Sequence, residues 1–529
     1  MAYTSAPEKQ TYSAERIPAA VGINVRPGEY TTAYDEGMKN LLPFKQYDSL
    51  VARSRYCIQA YKDTIVSGNA VMVRGMYVWE KTAGTIYYFV VTDDGTNSKV
   101  WTATSPSGTW TAVTTLPTSA TTPVRFAEFI TSAAAKSLIL VDGVDGYVFT
   151  DNTAGTRITD SDFPTPHVPF PVVIDGYLFL AKANTGDIYN SDLDNPTAWT
   201  AGSFISSELY PDDVQAIVKI DNYLLAIGTQ GCEYFYDAAN ATASPLARYE
   251  GGSLPFGCTF PNTIAYSKNK VVFLANSNDG EVVFKEIEGL KSKDIPSDFI
   301  VRSINGYLNA ISGTTTATKI IGFFFRQAGE LFYAVNLNSN YNVTGTANTF
   351  PTYVFSFSTE LWSEFDMYFV STLTYPVNVT APSTTTNTFT YVAGKNPITN
   401  AAYFGYLTQY NSVTGLSYDF QAYSYYVEIR TPELTFDTLN LKFMSRFGMN
   451  YLSSYIYTTL GLPIVTWTDD DWSTTTTRNM NVALAPSVYT FPFITQLGSF
   501  RRRRFKFQMQ TYGAVEIRYF ECDINKGQQ

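Results

Sequence analysis

The feature that most narrows the fold is a hairpin-like unit that recurs along the chain. Its clearest copy is DNYLLAIGTQGCEYFYDA, from Asp221 to Ala238. The first limb, Tyr223 to Ile227, is apolar without a break, which fits a strand buried on both faces. Gly228 to Gly231 supplies the turn. In the second limb Cys232, Tyr234 and Tyr236 alternate with Glu233, Phe235 and Asp237, a period of two that predicts a half-exposed strand. Looser copies begin at Met76 (MYVWEKTAGTIYYFVVTDD), Lys136 (KSLILVDGVDGYVFTD), Asp175 (DGYLFLAKANTGDIYNSDL), Asn269 (NKVVFLANSNDGEVVFKEI), Lys319 (KIIGFFFRQAGELFYAVNL) and Thr388 (TFTYVAGKNPITNAAYFGYL). In the middle of the chain they start roughly 40 to 50 residues apart, the period of a four-stranded propeller blade.

A turn and a tryptophan follow several copies: SPSGTWT with Trp110, NPTAWT with Trp199 and STELWSEF with Trp362. A bulky aromatic at one place in successive units fills the gap between wedge-shaped sheets. The expected fold is all-β, an irregular β-propeller of about six or seven blades. It spans 71–415, after an N-terminal arm (1–70) and before a β-sandwich-like domain (416–529). In that last region YSYYVEIRTPELTF, LNLKFMSRFGMNY and RRRRFKFQMQTYG read as strands without the blade period. A β-helix would need a shorter, more regular repeat. Within the arm, Leu50, Val51, Ser54, Cys57, Ile58 and Tyr61 approximate one face and predict a helix over Asp48 to Asp63, with an extended arm docked on another element as the competing reading. The Thr-, Ser- and Asn-rich stretch Asn378 to Asn387 predicts an exposed loop.

Composition supports the all-β expectation. Of 529 residues 16% are aromatic, with 39 Tyr and 36 Phe, and only 16% are charged. Tyr, Phe, Val and Thr fit a pleated, half-buried surface better than a helix. Subtracting 47 acidic from 37 basic residues leaves a net charge of −10. That balance argues against general nucleic-acid binding, which requires an excess of cations. Cys57, Cys232, Cys258 and Cys522 are scattered without a C-x-x-C pair, so free, buried thiols and a reducing compartment are expected. MAYTSAPEKQ lacks the apolar core of a signal peptide, and no apolar run approaches the ~20 residues of a membrane span. A soluble protein without membrane insertion is expected.

Residues suited to catalysis are sparse. His167 is the sole histidine, and its proline-rich setting PTPHVPFP predicts a structural imidazole rather than a general base. SNDGEVVF and TSPSGTWT are similar to sialidase-type Asp-box turns, but the first lacks the tryptophan and Ser107 replaces the aspartate in the second. Asn, Asp, Ser and Gly there serve turn geometry. DDGTNS and TDDDW lack the ligand spacing of a calcium loop. The expectation is a protein that is not an enzyme and carries no metal or cofactor. Two interaction candidates remain. The run Arg501, Arg502, Arg503 and Arg504 enters a strand, where alternation places the arginines on both faces, as an ion-pairing or interface segment, with DNA contact as the alternative. Asp469, Asp470 and Asp471 form an acidic loop expected to be exposed.

The segments PVVIDGYLFLAKANTGDIYNSDL, VQAIVKIDNYLLAIGTQGCEYFYDAANATASPLARYEGG, GCTFPNTIAYSKNKVVFLA and KDIPSDFIVRSI, the last as a strand, occur in this order between Pro171 and Asn305. With the ending GSFRRRRFKFQMQTYGAVEIRYFECDI, they resemble the packaged-DNA stabilisation proteins of short-tailed phages, also called the tail hub or nozzle. The resemblance covers about half the chain and rests on the order and spacing of the pieces. It implies a non-enzymatic virion protein, synthesised in the host bacterial cytoplasm, whose six copies ring the DNA exit. The implied partners are the portal-adaptor protein above, a tail needle, tailspikes or fibres below, and genomic DNA passing without sequence-specific binding. The arm is expected to join the C-terminal domain as an attachment platform. A glycan-binding or glycan-cleaving tail propeller is the alternative reading.

Overall fold

The computed structural model describes residues 12–24, 36–68, 71–117, 122–240, 242–277, 282–310, 320–337, 352–366, 376–380, 386–396, 399, 401–408, 425–453, 462–469, 472–480, 489–510 and 514–526. The chain forms two compact units. One comprises Ala60–Thr352 and Met367–Leu407; the other comprises Met1–Gln59, Tyr353–Asp366 and Thr408–Gln529.

The first unit is a β-propeller. Its first sheet contains Met72–Thr82, Thr85–Asp93, Ser98–Ala103 and Thr111–Leu116, in chain order. The second contains Arg125–Ile130, Lys136–Val141, Gly146–Phe149 and Thr156–Arg157; the third contains Val172–Ile174, Tyr177–Ala181, Asp187–Asp192 and Asn195–Ser206. Ala216–Ile220, Tyr223–Ile227, Cys232–Asp237 and Leu246–Leu254 make the fourth. In the fifth, Phe256–Cys258 and Ala265–Tyr266 both pair with Lys270–Ser277, followed by Val282–Glu288 and Lys291–Ile295. The sixth position holds the hairpin Ile321–Gln327 and Glu330–Asn336. The seventh joins Pro376–Thr380, Thr386–Lys395 and Ala401–Thr408 to Cys57–Ser67, which comes from the other end of the sequence.

Packing between successive sheets closes the ring. Apolar residues of the first and second sheets share one core, those of the second and third another, and the third, fourth and fifth a third. Phe284 of the fifth lies 5.7 Å from Tyr333 of the hairpin, whose hydroxyl donates to the Thr263 carbonyl at 2.9 Å. The Thr390 hydroxyl of the seventh sheet donates to the Arg326 carbonyl of the hairpin at 3.2 Å. Tyr391 and Phe404 of the seventh then pack with Val78, Tyr88 and Val90 of the first. Trp110 lies in this closing core, 5.3 Å from Phe404, and Trp199 lies between the second and third sheets, 5.3 Å from Phe163. Both indoles therefore fill gaps between sheets.

The second unit is a sandwich of two sheets. One runs Leu41–Gln46, Ser49–Ser54, Val515–Lys526, Lys442–Ser453 and Phe493–Phe500, with Ser13–Pro18 also paired to Val515–Lys526. Within this unit the other runs Thr352–Ser356, Trp362–Phe365, Gly37–Lys39, Tyr426–Arg430, Arg504–Gln510, Ile464–Thr468 and Thr476–Asn479. Their inner faces meet where Phe447 stacks on Phe505 at 4.0 Å and Phe520 lies 5.8 Å from Phe507. The described N-terminal segments thus supply strands to both layers.

Four local expectations are corrected. The helix expected over Asp48 to Asp63 is instead Ser49–Ser54 and most of Cys57–Ser67. Val51, Ala52, Cys57 and Ile58 are all fully buried, and strands covered on both faces produce adjacent apolar pairs that mimic helical spacing. Conversely, the strand expected over KDIPSDFIVRSI holds only for Lys293 to Ile295, the end of Lys291–Ile295, and the segment from Asp298 is the helix Asp298–Ala310. Phe299, Ile300 and Ile304 form its buried stripe, and Asp298 favours its N-terminus. In the Asp221 hairpin Cys232, Glu233, Tyr234 and Phe235 are all buried, so the second limb is covered on both faces rather than half-exposed. Part of Asn378 to Asn387 is strand, with Asn378 opposite Thr388 and Val379 opposite Asn387. Threonine-rich sequence suits strands as well as loops; residues 381–385 lie outside the described ones.

Candidate functional site

Many of the polar groups that could carry chemistry are used to hold the propeller together. His167 is buried and lies where the chain crosses from the second sheet to the third. Its Nδ1 lies 3.0 Å from the Pro164 carbonyl, and the Gly143 N–H donates to Nε2 at 3.3 Å. This is the neutral tautomer with Nδ1–H donating, and burial pushes its pKa down to about 4. With both ring nitrogens bonded to backbone, no proton acceptor is left for substrate.

The same kind of brace recurs in the neighbouring sheets. At the turn of the Asp221 hairpin, Asp212 Oδ2 accepts the N–H of Gln230 at 2.5 Å and of Gly231 at 3.3 Å. A Cβ at Gly228 would lie 2.4 Å from that carboxylate oxygen, so glycine is required for the close approach. Arg74 donates from Nε to the Thr122 carbonyl at 2.8 Å and from Nη1 to Ser98 Oγ at 2.8 Å. Asp142 Oδ1 accepts from Val144 and Asp145, fixing the turn beside His167, while its buried Oδ2 accepts no hydrogen bond among the described residues. Buried polar groups satisfied in this way rigidify a scaffold, because leaving any one unpaired costs about 1–3 kcal/mol.

The carboxylates of DDGTNS serve turn geometry in the same way. Asp93 caps Gly95, while Asp94 accepts the N–H groups of Thr96 and Asn97. Among the described residues, no group of three His, Cys, Asp or Glu is placed to hold a metal ion. All four cysteines are free and buried, and burial pushes the Cys258 and Cys522 thiols up to about 12.

In the sandwich unit the structure splits the arginine run. Only Arg504 begins a strand; Arg501 and Arg502 are exposed in the preceding turn, whereas Arg503 and Arg504 are buried. Arg503 donates from Nε and Nη2 to the two carboxylate oxygens of Asp469 at 2.7 and 2.8 Å, and from Nη1 to the Leu497 carbonyl at 3.0 Å. Its guanidinium also stacks 4.3 Å from the Phe500 ring centre. Asp469 is exposed, as expected of this loop, and is at the same time the partner of Arg503; Asp470 and Asp471 lie outside the described residues. Arg502 and Arg504 face Glu433 at 3.6 and 3.7 Å, and Arg501 donates to the Leu439 carbonyl at 3.0 Å. The exposed cations Arg501 and Arg502 adjoin Leu439, which is 66% exposed, so this corner presents charge and apolar surface together.

Sequence reasoning singled out both Arg503 and Asp469 but did not join them. Nothing local signals a pairing set by adjacent strands of a sheet. It also missed Asp212, whose signal was the double glycine of the turn it caps.

Comparison with known proteins gives one family and several distant folds. The family described as "Bacteriophage P22 Gp10, beta-propeller" matches residues 15–339. No curated protein matches the chain. Among solved structures, a glycoside hydrolase is 10% identical with a TM-score of 0.25, covering 87% of this chain and 99% of its own. An ancestral GH74 enzyme is 10% identical with a TM-score of 0.35, covering 71% and 53%. YCF48 bound to D1 peptide is 11% identical with a TM-score of 0.33, covering 64% and 94%.

Proposed function

The chain belongs to the phage-stabilisation family of β-propeller proteins, and from that membership we propose that it is the hub, or nozzle, of a phage tail. It is a phage structural protein and a virion component; the finer role is our reading. Six copies form a ring below the portal-adaptor, retain the packaged genome, pass it on ejection and carry the distal needle, spikes or fibres.

The family match carries this reading, and the physical chemistry of the chain supports it. A propeller whose turns are braced by buried, satisfied polar groups is a stiff body suited to holding a channel open. The net charge of −10 lets DNA move past without adhering, since like charges repel. In the sandwich, Arg501 and Arg502 are the candidate contacts for a neighbouring tail protein.

The test is the phenotype of virions lacking the protein. Particles should package DNA and then lose it, leaving empty heads. Particles that stay full and fail only in adsorption would contradict the hub reading and favour a receptor-binding role.

A further inference from the structure

The third and fourth propeller sheets flank an open surface cleft of about 740 Å³ to which the hub role assigns nothing. Its walls are the turn Ile174–Asp175 of the third sheet, Lys219, Asn222 and Tyr223 at the first turn of the fourth, the strand end at Tyr236 and Asp237, and Arg248 to Glu250. The size lies within the range of small-molecule sites, about 300–1,000 Å³.

The lining has a definite chemistry. Tyr236 is 40% exposed. Tyr223 and Tyr249 are half-buried, with ring centres 5.3 Å apart, and so present fixed aromatic surface. Arg248 is already held by Glu233 at 2.9 Å and the Ser206 carbonyl at 3.2 Å. Among the described residues, the side chains of Asp175, Lys219, Asn222 and Glu250 have no hydrogen-bond or ion-pair partner. The cleft therefore offers a carboxylate pair, an amide and an ammonium beside tyrosine rings, both donors and acceptors without an excess of either.

That combination selects among ligand classes. A polyanion meets Asp175, Asp237 and Glu250 against one unengaged cation, Lys219, and is repelled. A lipid would strand the charged groups without partners. A sugar ring has an apolar C–H face that lies on an aromatic ring, and hydroxyls that both donate and accept. We propose that this cleft is a carbohydrate-binding site, with an oligosaccharide lying on Tyr236 and hydrogen-bonded by Asn222, Lys219 and Glu250. The inference goes beyond the hub reading and does not depend on it.

The full-length protein is tested on an array of defined neutral, amino and acidic oligosaccharides, and the best binder is then titrated by calorimetry. Inorganic phosphate and a single-stranded oligonucleotide serve as competing probes. One oligosaccharide class should bind, and Tyr236→Ala and Glu250→Gln should each weaken it about tenfold while leaving the melting temperature unchanged, because both side chains are at the surface. Absence of oligosaccharide binding at millimolar concentration overturns the proposal. So does binding that survives both substitutions, or preferential binding of phosphate or oligonucleotide at Lys219.

Discussion

In the propeller unit, strands pair mainly with their neighbours in sequence: Tyr223 lies opposite Tyr236, and Leu138 opposite Phe149. In the sandwich unit, Ser13 lies opposite Ile524, Ala52 opposite Ile517 and Lys39 opposite Glu428. Both units are built from aromatic and β-branched residues, yet one is assembled from local contacts and the other from opposite ends of the chain. Local pairing has a low loop-closure cost and can form sheet by sheet, whereas the sandwich must wait for the C-terminal strands. The difference makes the sandwich the unit more sensitive to the N-terminus.

The largest effect expected from this contrast is that of deleting residues 1–40. The arm was expected to join the C-terminal domain, and the deletion removes Ser13–Pro18 and Gly37–Lys39 from the two layers of the sandwich. Calorimetry should show the sandwich transition abolished and the propeller transition retained. Loss of both together would break the distinction between the units.

Within the propeller, Trp199→Ala should cost about 3–5 kcal/mol, the usual range for emptying a large aromatic site. The loss should appear in denaturant unfolding of the propeller transition alone.

His167 gives the propeller a pH signature. Its folded pKa of about 4 lies below the value of ~6.5 expected when unfolded. The unfolded state therefore binds the extra proton first. The stability from the neutral, buried ring is fully present above about pH 6.5 and is lost as pH falls towards 4, by up to about 3 kcal/mol. His167→Gln should flatten the propeller's melting temperature across that window, while the sandwich transition should be unaffected by the substitution.

The smallest effect concerns the sandwich ion pair. Asp469→Ala leaves Arg503 buried without its carboxylate and should cost about 2–3 kcal/mol, below the ~3–5 kcal/mol of a fully enclosed pair because Asp469 is 40% exposed. Replacing both residues by apolar ones should recover much of that loss. A double-mutant cycle on the sandwich transition measures the coupling.

The same contrast explains what could be read from the sequence. The Asp221 hairpin was legible because limb, turn and limb lie in one short window, and Trp110 and Trp199 marked the gaps between sheets. The propeller's closure by Cys57–Ser67 was not, because that strand carries the doubly buried pattern Cys57–Ile58, which resembles a helical face. Helix Asp298–Ala310 was hidden by its β-branched residues, and the Arg503–Asp469 pair by a pairing that only the folded sheet creates. The cleft beside Tyr236 was invisible for a related reason. It joins turns of two sheets whose spacing depends on packing.

The hub assignment is tested most directly by reconstructing the virion tail with this protein located in the density. The account predicts six copies in a ring at the DNA exit below the portal-adaptor. Three-fold clusters at the tail periphery, away from the DNA path, would contradict it.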